Sequence, residues 1–225
     1  MFGWIASLLA RKPGAASGEP PQRRLTLNDA RHIEAALADL ATVGIAFNPG
    51  FSGDLKATAA AIAARWQGIW FSHEPTPGDW ALIALSAEPG TFANAVHLDD
   101  HCFDVADLAD YSRMIGEIVA LAGDEWRIER VDVKNARCPG ASLEWKQPMT
   151  VSIEATPPVA TFELIHAKDF DWSLVFRLNA RLPKEALGRF AIFQDGNATI
   201  VFLTLEKLRR LDALCGHEFL CEDAG

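Results

Sequence analysis

Two apolar runs near the C-terminal end, Phe190 to Gln194 and Ala198 to Leu203, flank the triplet Asp195-Gly196-Asn197. Runs of this length and composition form strands, and an Asp-Gly-Asn junction tolerates the positive backbone angles of a tight hairpin turn. Strands joined so closely can only be antiparallel. This hairpin constrains the chain more than any other feature, because it commits the C-terminal half to an antiparallel sheet.

The segments before it alternate differently. Asn28 is expected to cap a helix reaching about Thr42, with Ile33, Leu37, Leu40 and Ala41 on one face and Gly44 as its stop. A second helix is expected from about Gly53 to Trp66. The short apolar run Trp80 to Leu85 reads as a buried strand, preceded by a loop at Pro75, Pro77 and Gly78. Asp104 is expected to cap a third helix to about Leu121, carrying Leu108, Tyr111, Ile115, Ile118 and Val119 at helical spacing.

Strand-like alternation then takes over. It marks Trp126 to Val133 with a phase slip near Glu129 and Arg130, then Met149, Val151 and Ile153, and residues 159–165. It also marks Trp172, Leu174, Phe176 and Leu178. Thr204 is expected to cap a last helix bearing Leu205, Leu208, Leu211 and Leu214. Helices first and consecutive strands later predict an α+β fold, with a largely antiparallel sheet and helices packed on one face. Hydrophobic residues make up 49% of the 225, enough for a sizeable core.

Residues 1–24 read as a basic, apolar N-terminal extension and linker, and residues 25–225 as a single α+β domain. Within the extension, Phe2 to Ala10 is too short to span a bilayer, though residues 1–12 could make weak contact with a membrane surface. No basic residue precedes Phe2, which disfavours a secretory signal. The expected location is therefore the cytoplasm, with Cys102, Cys138, Cys215 and Cys221 as reduced thiols.

The net charge of −9 is unevenly placed. Between Arg65 and Arg113 there is no lysine or arginine, yet the stretch holds Glu74, Asp79, Glu88, Asp99, Asp100, Asp104, Asp107 and Asp110. Such a chain lacks the basic footprint that phosphate backbones require, so nucleic-acid binding is disfavoured. An acidic surface suits a basic protein partner, with Asp99, Asp100, Asp104, Asp107 and Asp110 as the contact residues. Trp70 is the tryptophan expected to add exposed aromatic recognition. In composition and architecture the chain loosely resembles immunity proteins that neutralise toxins, which implies a non-catalytic interaction protein.

An alternative set of residues suits metal chemistry. His97, Asp99 and His101 carry imidazole and carboxylate, the usual ligands of zinc and non-haem iron. Four residues apart, the two histidines share a helical face, but on a strand they stand about 13 Å apart. The glutamate of the helical H-E-x-x-H arrangement is missing. Cys215, His217 and Cys221 form a second possible ligand set at a spacing that fits no standard zinc template. The sequence contains neither a G-x-S-x-G elbow nor a phosphate-binding glycine loop, and no cofactor is expected.

Overall fold

The computed structural model describes residues 23–51, 54–98, 108–134, 147–155, 160–166, 171–195 and 197–221. Helices are α1 (Ala30–Thr42), α2 (Leu55–Arg65), α3 (Pro77–Leu85), α4 (Leu108–Ala120), α5 (Ser173–Asn179) and α6 (Leu205–Cys215). Strands are β1 (Arg23–Arg24), β2 (Trp70–Phe71), β3 (Ala95–Leu98), β4 (Ile128–Lys134), β5 (Gln147–Ala155), β6 (Ala160–His166), β7 (Gly188–Asp195) and β8 (Asn197–Thr204). Every strand pairing among them is antiparallel. The molecule is thus an α+β fold, as the order of patterns predicts.

The C-terminal hairpin forms where expected, with Ile192 opposite Ile200 and Asp195 opposite Asn197. Strand β3 adds to its far side to give the order β3-β8-β7, while β4-β5-β6 forms a separate sheet. Because side chains alternate across a strand, the central sheet divides two cores. Ala191, Phe193, Val201 and Leu203 join the buried faces of α1, α2, α3 and α6. Phe190, Ile192, Ile200 and Phe202 join those of α4, α5 and the outer sheet. Helices therefore cover one face of the central sheet as expected, and two more pack on its other side. Fully burying each Leu or Phe of these cores stabilises the fold by about 1.5–3 kcal/mol.

Local chemistry explains where the elements start. The cap of α1 belongs to Thr26 and Asp29 rather than to Asn28. The Asp29 carboxylate accepts from the Thr26 N–H at 2.8 Å and from its hydroxyl at 2.9 Å. Asp29 is buried and forms an ion pair with Arg23, which also reaches Glu74 at 2.8 Å. Arg23 and Arg24 pair with Phe71 and Trp70, so the fold includes two residues ahead of the expected boundary at Leu25. Gly44, at φ +103°, stops the helix beyond Thr42. Asp54 caps α2, accepting from the Lys56 N–H at 2.8 Å. The expected phase slip in β4 is a register shift between Ile128 and Arg130. Thr204 caps α6 as expected, accepting from the Lys207 N–H.

Two expected strands are helices. Trp80 to Leu85 lies in α3, whose start is a capping box. The Thr76 hydroxyl accepts from the Asp79 N–H at 3.2 Å, and the Asp79 carboxylate accepts from the Thr76 N–H at 2.6 Å. Pro77 occupies the first helical position, where its missing N–H costs nothing. Gly78 through Leu85 are all buried, so no polar face marks the helical period. Trp172 to Leu178 contains α5, whose first turn is held by the Asp171 carboxylate accepting from the Ser173 N–H at 3.1 Å. Its buried residues are Leu174, Val175, Leu178 and Asn179. That is helical spacing, and the alternation at 172, 174, 176 and 178 only overlaps it.

Candidate functional site

The eight acids between Arg65 and Arg113 do not share one role. Glu74 is held by Arg23. Asp79 is a buried cap that also meets His73 Nε2 at 3.1 Å, and so does more than solvate a loop. Glu88 is exposed. Asp110 stands in the first turn of α4. Asp99, Asp100, Asp104 and Asp107 lie outside the described residues, and with them the expected cap of α4 at Asp104. Trp70 is exposed, at 45%, but the Arg24 guanidinium covers one face of its ring at 4.0 Å. This cation–π contact takes up part of the surface that Trp70 would offer a partner.

His97 is placed by β3, paired opposite Thr199 of β8. Its phase follows Ala95 and points toward the first core, where its ring meets Trp66 edge-on at 6.2 Å between centroids. The imidazole is buried, with Nδ1 3.0 Å from Thr199 Oγ1 and Nε2 3.5 Å from the Asn197 side-chain nitrogen. The Asn197 amide donates to Nε2, which leaves Nδ1 as the donor to Thr199. Both ring nitrogens are thus directed into the fold, which is the arrangement of a core histidine rather than of a ligand with a nitrogen to spare. Asp99 and His101, its partners in the metal reading, lie outside the described residues.

The second possible ligand set is dispersed in packing. Cys215 is buried against the first core, and burial, with Asp212 adding to it, pushes its thiol up to about 12. Such a thiol is a small core residue and a poor nucleophile at neutral pH. The His217 ring lies 5.2 Å from that of Phe193. The Cys221 sulfur is 3.8 Å from the Asn179 amide nitrogen. Among the described residues no three His, Cys, Asp or Glu side chains form a group suited to a metal ion. No helix among them is long and apolar enough to cross a membrane.

The largest concave feature was not anticipated. A groove of about 690 Å³ runs between α4 and β4, with Ser112, Gly116 and Ala120 on the helix side and Trp126, Arg127 and Arg130 on the other. Tyr111, Ile115 and Ile118 bury the adjacent face of α4. Burial raises the Tyr111 phenol above its ordinary value, and nearby Asp171 raises it further. The groove exists because the next face of the helix is built from small residues: a Cβ placed on Gly116 would meet nothing within 4 Å. The indole nitrogen of Trp126, itself 2% exposed, has no hydrogen-bond partner. The signal available in the sequence was the i, i+4, i+8 run Ser112, Gly116, Ala120 followed by the phase slip at residues 128–130.

Comparison of the chain with protein-family models, with curated proteins and with solved structures finds no match.

Proposed function

We propose that the protein is a non-catalytic interaction protein that binds a basic protein partner through the acidic segment 99–110. One observation carries the reading. Asp99, Asp100, Asp104, Asp107 and Asp110 fall within twelve residues, in a stretch of sequence from Arg65 to Arg113 that has no lysine or arginine between its ends. The two acids of that stretch with clear internal roles, Glu74 and Asp79, precede this segment. A field of one sign steers an oppositely charged partner and raises its association rate by roughly 10- to 1,000-fold. Such steering weakens with salt over a screening length of about 8–10 Å.

The test starts from partners captured at low salt and measures association rates for each by stopped flow. Replacing Asp99, Asp100 and Asp110 with Asn should slow association about tenfold at low salt and leave the melting temperature within about a degree. The rate for the unaltered protein should fall steeply as salt rises. An unchanged rate in the triple variant, or capture of acidic partners alone, sinks the proposal.

A further inference from the structure

We infer that the groove between α4 and β4 receives an extended segment of a partner protein, bearing alternating apolar and acidic side chains, as an added strand on β4. Three independent features converge there. The first is an edge: among the described residues β4 pairs with β5 alone, in the order β4-β5-β6. A strand edge offers main-chain donors and acceptors to an incoming extended chain. The other edge strand of the hairpin sheet is treated differently. There the Asn179 side chain exchanges two 2.8 Å hydrogen bonds with the Phe190 backbone, and Leu220 exchanges two of 3.0 and 2.8 Å with that of Ile192.

The second feature is a buried donor. Trp126 lines the groove and is 98% buried, yet its indole N–H has no partner. An indole can only donate, so what it lacks is an acceptor. A backbone carbonyl of a chain lying in the groove would supply one.

The third feature is shape with charge. From Ser112 to Ala120 the helix runs about 12 Å, the length of about four residues of strand. Gly116 leaves the floor open, and Val119, Ile128 and Val131 make part of it apolar. Among the described lining residues, two guanidinium groups, Arg127 and Arg130, stand against one carboxylate, Glu129. The present ion pairs of Arg127 with Asp124 at 3.0 Å and of Arg130 with Asp132 at 3.8 Å are largely exposed. Exposed pairs are weak and exchange partners readily. In an added strand, alternate side chains would face the helix and the guanidinium groups, which selects apolar residues alternating with Asp or Glu. The register shift between Ile128 and Arg130 falls within this lining, and bulges of this kind re-aim side chains beside binding sites.

The occupant is opposite in charge to the basic partner proposed above, so the two readings fail separately. The experiment selects a phage-displayed random dodecapeptide library on the full chain and titrates the enriched peptides in solution. Enriched sequences should alternate apolar and acidic residues, and saturation should slow hydrogen exchange of the β4 amides. Gly116→Trp, which fills the groove, should abolish binding. Trp126→Phe, which removes only the N–H and part of the ring, should weaken it about tenfold. Should Gly116→Trp fail to fold, the Trp126→Phe titration and the β4 exchange decide the matter. No enrichment, binding that Trp126→Phe leaves unchanged, or unaltered β4 exchange on saturation would each overturn the inference. So would a basic consensus that survives Gly116→Trp and is lost on replacing Asp99, Asp100 and Asp110 with Asn, since that peptide belongs to the acidic segment.

Discussion

Gly78 in α3 and Gly116 in α4 are helical glycines on opposite sides of the central sheet, and they do opposite things. A Cβ on Gly78 would sit 2.4 Å from the Cys215 carbonyl oxygen. That glycine is what lets α3 press its first turn onto the end of α6. A Cβ on Gly116 would meet nothing within 4 Å. One glycine marks two backbones in contact, and the other marks a wall that nothing has closed. The first core is correspondingly rich in alanine, with Ala36, Ala59, Ala63, Ala81 and Ala84 bringing helices close together. The second core relies on larger side chains such as Tyr111, Ile115, Ile118 and Trp126, and it borders the groove. Close packing holds the first side together, whereas the second leaves surface for recognition.

The contrast can be broken most sharply at Gly78. Gly78→Ala forces either α3 or α6 to move, and should destabilise the fold by about 1–3 kcal/mol, measured as a shift in the urea midpoint. A stability equal to the unaltered protein would mean that the two helices are not in backbone contact.

Gly116→Ala should act in the other direction and by less. Alanine is the better helix former, and open space costs it nothing, so the expected gain is about 0.5–1 kcal/mol. A loss instead would show that the groove is occupied or closed in solution.

The smallest effect concerns the end of α6, the helix that Gly78 touches. Burial raises the Asp212 carboxyl above its ordinary value, Glu218 raises it further, and the Phe219 N–H, at 2.9 Å, opposes the shift. An acid held above its unfolded value favours the folded state most fully below that unfolded value. The benefit is lost as pH rises through the folded one. Asp212 also stands near the C-terminal end of its helix, where a negative charge is unfavourable. Asp212→Asn keeps an oxygen for the Phe219 N–H and removes the charge. Its melting temperature should exceed that of the unaltered protein by a small margin at pH 7, and the difference should vanish near pH 3. A decrease at pH 7 would refute this account.

How much of this was legible depends on how local each signal is. The hairpin at Asp195-Gly196-Asn197, the Thr204 cap, the stop at Gly44 and the slip in β4 all depend on neighbouring residues, and all are present in the fold. The helices α3 and α5 were misread because both were judged on apolar pattern, while their capping groups, Asp79 and Asp171, passed as loop residues. His97 looked like a ligand because of its neighbours in sequence. Its partners in space, Thr199, Asn197 and Trp66, are far from it along the chain.

The sequence by itself determined the charge distribution, the antiparallel hairpin and the α+β class, because each follows from composition or from residues a few positions apart. Only the tertiary structure decided that the run at Trp80 is a helix, since burial on every side erases the periodicity that would announce one. Only the tertiary structure separated Gly78 from Gly116, because what a missing Cβ means depends on the atoms across the gap, and those come from Cys215 in one case and from nothing in the other.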